Sequence, residues 1–292
     1  MNYKIVLRIT YDYAHPAAAG RHLVRLMPAD LPGRQRLVAG LLEILPKPDD
    51  RWDAQDFFGN ATTSFGYRGA HDTIALSVSA RVDRTEGRGL GPSIHLRELP
   101  TDLARVGALG PESPLHFLAG TQRAPLDPAM TDYAAAAIKG TMTVFDAVQA
   151  VGLALHRDMK FDAKATNVDT PAAEAFAARR GVCQDFSHIM IACLRGIGIP
   201  AGYVSGFLRT RPPKGKPRLE GADAMHAWVR AWCGAQLGWV EYDPTNAVVI
   251  DTNHIVVAYG RDYFDVAPVK GMLRVSGGQT TDQAVDVIPL DQ

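Results

Sequence analysis

Residues 180–200 read RGVCQDFSHIMIACLRGIGIP, and the fold follows from how this stretch begins. Phe186, Met190 and Cys193 fall three to four residues apart, the spacing of one buried helical face, so a helix starts at about Cys183 and places that thiol in its first turn. Backbone N–H groups without intrahelical partners gather there, together with the positive end of the helix dipole. Both favour a thiolate, and a cysteine so placed beside a histidine typically has its pKa lowered from about 8.5 to between roughly 3.5 and 7.5. The same N–H groups suit the stabilisation of an oxyanion during acyl transfer. Just upstream, Thr170 is placed as an N-cap with Pro171 at the first helical position. The run Ala172 to Arg180 is rich in helix formers, and Gly181 is placed to end it.

A base and an acid lie downstream. Residues 221–233, GADAMHAWVRAWC, and 238–246, GWVEYDPTN, both alternate like strands, with Gly234-Ala235 between them as a tight turn. A two-residue loop at 234–235 puts Trp228 opposite Glu241 and His226 opposite Asp243. Directly opposite side chains have Cβ atoms about 4.5 to 5.5 Å apart. An imidazole and a carboxylate are then neighbours on one face, the arrangement in which the acid orients the ring and stabilises its charged form. Pro244 cannot donate to a sheet, so Asp243 should mark the strand end. Gln184 and Asp185 flank Cys183 and are candidates for substrate binding, although complementing the helix start is the simpler role for Asp185. Trp228 is placed either to wall the site or to fill core. Cys193 and Cys233 read as packing.

The rest of the chain sets the frame. Its 292 residues carry 31 Lys+Arg against 31 Asp+Glu, so formal net charge is zero and no nucleic-acid partner is indicated. Ile5, Leu7, Ile9, Tyr11 and Tyr13 alternate with more polar neighbours, as do Ile74, Leu76, Val78, Ala80 and Val82; residues 21–27 and 38–45 are further strand candidates. The first hundred residues therefore read as a small β-sandwich-like domain. Glycines and prolines punctuate 86–130, making 101–130 a connecting segment, and 131–292 reads as the catalytic core. Val144, Ala147, Val148, Val151 and Leu155 mark a core-packing helix within it. The basic stretch 209–218 is a solvated loop or a lid over the cleft.

No run approaches the ~18 apolar residues of a membrane span, so no membrane partner is expected. Charges interrupt the apolar opening, which does not read as a signal peptide. Three cysteines without a CxxC pair suit a reducing compartment, and a cytoplasmic location is expected. No P-loop, GxGxxG, HExxH or Cys/His zinc pattern occurs, so neither cofactor nor metal is expected. Tyr203 and Phe207 occupy the glycine positions of a GxSxG elbow around Ser205, which argues against a serine hydrolase there.

The stretches TPAAEAFAARRGVCQDFSHIMIACLRGIGIPAGYVSGFL, ADAMHAWV and WVEYDPTN resemble the Cys, His and Asp motifs of the bacterial transglutaminase-like superfamily. HIVVAYGRDYFDVAPVKG, residues 254–271, is similar to that family's C-terminal signature, and the YDY-containing opening resembles its β-rich N-terminal domain. The resemblance implies an α+β protein: a β-sandwich-like domain, then a papain-like core with the nucleophile at a helix N-terminus packed on an antiparallel sheet. It implies Cys183 as nucleophile, His226 as general base and acid, and Asp243 as orienting acid. The expected chemistry is acyl transfer through a thioester on a peptide or other amide substrate. The family favours a cysteine peptidase or amidase. A protein-glutamine transglutaminase would use the same residues, and a scaffold with an inactive site is the non-enzymatic alternative.

Overall fold

A computed structural model describes residues 1–85, 91–210, 221 and 223–290. The N-terminal part is built on β1 (Asn2–Val24), a 23-residue strand whose Tyr3, Ile5, Leu7 and Ile9 are buried while Lys4 and Arg8 face solvent. It is followed by β2 (Gln35–Leu45), β3 (Asp50–Gln55), β4 (Ala61–Gly66) and β5 (His71–Arg84). Sequence alternation separates residues 4–13 from 21–27, yet the chain passes through Pro16 as one strand. Register shifts between Asp12 and Ala17, and between Ala18 and Arg21, accommodate it. Bulges bend a strand and free it from donating at each position, which is how a proline is tolerated there. The first half of β1 pairs with β5 and its second half with β4, so the sheet curls around its own first strand.

The C-terminal half supplies α1 (Leu99–Leu103), α2 (Pro128–Ala137), α3 (Val144–Asp158), β6 (Lys160–Phe161), α4 (Ala172–Ala178), β7 (Arg180–Gly181) and α5 (Cys183–Gly196). Next come β8 (Ala201–Leu208), β9 (Ala224–Trp232), β10 (Trp239–Asp243), β11 (Val248–Val249), β12 (His254–Gly260) and α6 (Tyr263–Val266). In α3 the stripe Val144, Ala147, Val148, Val151 and Leu155 is fully buried, as its spacing predicts. Pro171, not Thr170, caps α4, and the helix ends two residues early at Ala178, with Arg179 at its C-cap in the left-handed conformation. The α5 helix packs against α2, α3, α4 and β9, and every residue from Asp185 to Arg195 is buried. The apolar stripe read from its sequence is therefore one face of a central helix covered all round. Strands β11-β10-β9-β8-β12 form the five-stranded antiparallel sheet beside it.

The last two strands, β13 (Val269–Arg274) and β14 (Gln279–Pro289), leave this core and pair antiparallel with β1. The sequence division assigned 131–292 to the catalytic core. The difference arises because β1 has a second hydrogen-bonding edge along its whole length, and the returning chain fills it.

The two halves are tied where β12 borders the core sheet. Gln35 donates to the Val256 carbonyl at 2.8 Å and accepts from the Val256 N–H at 2.9 Å. Asn60 makes the same two-way contact with Tyr259, both bonds at 2.7 Å. Side-chain amides thus substitute for a neighbouring strand and satisfy an edge that would otherwise be open. Arg34 adds an ion pair to Glu241, which also accepts from Tyr259 Oη at 2.9 Å. Beyond Thr210, the 209–218 stretch lies outside the described residues, as does the 86–90 portion of the glycine-rich region.

Candidate active site

Cys183 opens α5 because Val182 is extended and the Asp185 carboxylate reaches back to accept the Val182 N–H at 2.8 Å. The same carboxylate oxygen accepts from Thr166 Oγ1 at 2.6 Å. Intrahelical bonding begins with the Asp185 and Phe186 N–H groups on the Val182 carbonyl, so the N–H groups of Cys183 and Gln184 stand ahead of it. Asp185 is buried, and burial pushes its carboxyl upward against these two hydrogen bonds. Its contacts are those of a helix-start clamp. Gln184 turns its amide to the Val168 carbonyl at 3.1 Å.

The acid and base arrive on β9 and β10 in a register two residues away from that of a two-residue turn. Trp239 pairs with Trp232 and Glu241 with Arg230, and the Cys233 N–H bonds to the Gly238 carbonyl at 2.9 Å. The connection therefore spans 234–237, with Gly234 and Gly238 at φ of 95° and 72° in the left-handed region. Because side chains alternate with a period of two, a two-residue slip leaves every residue on its face. His226 and Asp243 become diagonal neighbours, and His226 Nε2 lies 2.7 Å from Asp243 Oδ2.

Asp243 is fully buried and saturated with donors. Oδ2 also receives Asn246 Nδ2 at 2.6 Å and His254 Nε2 at 3.2 Å, while Oδ1 receives the Thr245 and Asn246 N–H groups at 2.9 and 3.1 Å. Burial opposes its charge, but these hydrogen bonds prevail and hold the carboxyl well below its ordinary range. His226 responds in the opposite sense. Burial lowers its pKa, yet hydrogen bonds with Asp243 and Cys183 and their charges outweigh burial and raise it to about 10. With Nε2 committed to Asp243, Nδ1 is the nitrogen left for the sulfur. Cys183 is half-buried, whereas Cys193 and Cys233 are buried and their thiols are pushed up to about 12.

Trp228 is fully buried beneath the imidazoles, with ring centroids 6.1 Å from His226 and 5.3 Å from His254. Its indole N–H donates to Glu241 Oε2 at 2.7 Å, linking the floor of the site to Arg34 of the N-terminal half. Gly206, opposite His226 in the β8–β9 pairing, leaves space for that indole: a Cβ there would sit 2.4 Å from Trp228 Cη2. The structure thus brings together Cys183, His226 and Asp243, turns Asp185 and Trp228 inward, and adds His254 and Asn246. Asn246 lies within the quoted Asp motif, and His254 begins the C-terminal signature.

His226, Asp243 and His254 present nitrogen and oxygen atoms within 4.8 Å of one another, the kinds of ligand a divalent metal takes. Here those atoms are spent on each other, with Asp243 accepting five hydrogen bonds. The geometry is that of a proton-holding network.

Two family patterns match the sequence: the transglutaminase-like superfamily core over residues 131–244 and the bacterial transglutaminase-like N-terminal region over 3–83. An uncharacterized protein of Mycobacterium tuberculosis is 34% identical over 297 residues, covering 99% of this chain and 93% of its own. The chain belongs to the transglutaminase-like superfamily. A second uncharacterized relative, from Mycobacterium leprae, is 32% identical and covers 98% of each chain. Among solved structures, a Cytophaga hutchinsonii protein provisionally described as a cysteine protease superposes with a TM-score of 0.77. That match is 22% identical and covers 100% of this chain and 91% of the other, so it shows a shared fold. The transglutaminase-like core and the N-terminal region expected from the sequence are thus both present, in an α+β architecture.

Proposed function

We propose that this transglutaminase-like protein is a thiol-dependent acyl-transfer enzyme that cleaves amide bonds, a cysteine peptidase or amidase. The observation that carries this reading is the buried 2.7 Å contact between His226 Nε2 and Asp243, which leaves the other ring nitrogen to the Cys183 sulfur. In the first half-reaction His226 takes the thiol proton and the thiolate adds to the amide carbonyl. The Cys183 and Gln184 N–H groups, which stand ahead of the first intrahelical bonds, donate to the oxyanion. His226 then returns the proton to the departing amine, leaving a thioester on Cys183. Water, deprotonated by His226, attacks the thioester; the acid departs and the thiol is restored. Asp243 stays ionised throughout, because five hydrogen bonds favour its charged form.

Mass spectrometry on a peptide library containing glutamine, incubated with and without a primary amine, tests the reading. Cleaved or deamidated products that are unchanged by the amine, and absent with Cys183→Ala, are expected. Amine adducts would make the second nucleophile an amine and overturn hydrolysis. An unmodified library together with an unreactive Cys183 would overturn acyl transfer itself.

A further inference from the structure

Asp243 is approached by two imidazoles. His226 Nε2 and His254 Nε2 point at the same oxygen, at 2.7 and 3.2 Å, with ring centroids 6.2 Å apart. His254 is 3% exposed, and its other nitrogen lies 3.2 Å from Asp251 Oδ1. Asp251 is itself fixed by Asn253, whose N–H and side-chain amide donate to it at 2.8 and 2.7 Å. A continuous line therefore runs Asp251, His254, Asp243, His226, Cys183. We infer that His254 is a positioning residue: a second imidazolium on Asp243 that fixes the carboxylate and moderates its hold on the His226 proton.

The inference rests on the acyl-transfer reading, in which His226 must both take and return a proton. An unopposed buried carboxylate would hold that proton too firmly for its return to the leaving amine. A cation on the far side of Oδ2 draws part of the field and lowers the basicity of His226. The groups facing His254 are Asp243 on β10, Asp251 in the turn before β12, and His226 and the Trp228 ring on β9. Arg84 on β5 adds a cation, with Nη2 donating to the Asp251 carbonyl at 3.0 Å. Burial lowers the His254 pKa and the His226 cation adds to that. The hydrogen bonds to Asp243 and Asp251 outweigh both and leave it raised.

The test is the pH dependence of Cys183 alkylation by iodoacetamide, which needs no substrate. In the wild type the rate should show two inflections, one where the thiolate–imidazolium pair forms and one where it loses its proton; both belong to the coupled pair. His254→Gln keeps a neutral N–H donor and removes the charge. His254 acts this way while it keeps its own proton through the upper inflection; at an effective dielectric of about 20 to 40, loss of that unit charge displaces the inflection upward by on the order of 1 pH unit or more. Asp251→Asn keeps the imidazole but weakens its charged form, so it should shift the profile in the same direction by a smaller amount. It keeps the test open if the glutamine variant does not fold. Slower alkylation at every pH, with both inflections unmoved in both variants, would assign His254 a packing role and overturn this inference alone. A wild-type profile without the upper inflection would overturn the ion-pair reading of the site, and this inference with it.

Discussion

Replacing Asp243 with Asn keeps the shape of the side chain and removes its charge. The carboxylate takes three donors on Oδ2 and two backbone N–H groups on Oδ1. An amide can satisfy only one of these sets, because whichever side carries its NH₂ faces donors. If the backbone N–H groups keep the carbonyl, the NH₂ opposes His226 Nε2, and the ring must turn its proton to Nδ1, toward the sulfur. A hydrogen bond to a charged group contributes about 1.5 to 3 kcal/mol. At 1.36 kcal/mol per pKa unit, its loss moves the His226 pKa down by about 1 to 2 units from its value near 10. Orphaning donors around a buried site should also destabilise the fold by about 3 to 5 kcal/mol, read as a lower urea midpoint. The assay is an NMR titration of the imidazole Cε1–H signals, with His226 assigned by loss of its signal in His226→Gln. The wild-type signal should stay in its protonated position to about pH 9, and the Asn variant should titrate 1 to 2 units lower. An unchanged His226 titration would refute the coupling through Oδ2.

Three further outcomes are expected. Arg34→Ala strips the buried Glu241 of its cation. Because the Arg34 side chain is partly exposed and solvent screens it, the loss should fall below the buried-pair range of about 3 to 5 kcal/mol, at about 2 to 3 kcal/mol in a urea melt, and Arg34→Ala/Glu241→Gln should recover part of it. Gly206→Ala forces a Cβ to within 2.4 Å of the Trp228 ring and 2.2 Å of the Ile255 carbonyl; a loss of about 2 kcal/mol or more and slower Cys183 alkylation should follow. His188 is buried and neutral, accepts from the Tyr263 N–H at 3.2 Å, and has its pKa lowered by burial to about 4. Between pH 6.5 and 4 the unfolded chain binds a proton there that the folded chain does not, so stability should fall as pH drops through that window. His188→Asn should flatten the fall in urea midpoints measured across it.

What was readable in the sequence follows the reach of each signal. The α3 stripe and the alternation in β1 and β5 are local, and burial reproduces them at every position but Tyr11, which is only partly buried. Cys183 was readable because a helix start is punctuated within a few residues. His226 and Asp243 shared a face despite a turn two residues longer than expected, because the strand period forgives an even error and only an odd one would have separated them. The features that were not readable depend on distant pairing. The return of β13 and β14 to β1 and the Gln35 and Asn60 clamps on β12 join residues about 200 or more positions apart, and neither leaves a periodic mark. His254 sits in a quoted motif, but nothing in local spacing aims its ring at Asp243.

The central claim is that Cys183 shares a proton with His226 and that this pairing makes it reactive. Brief exposure of the folded protein to iodoacetamide at pH 6, followed by peptide mapping, tests it most directly. The account predicts rapid, single labelling at Cys183, with Cys193 and Cys233 modified only after unfolding in urea. Labelling of Cys183 no faster than that of a free cysteine at the same pH, or equal to that of the two buried thiols, would contradict it.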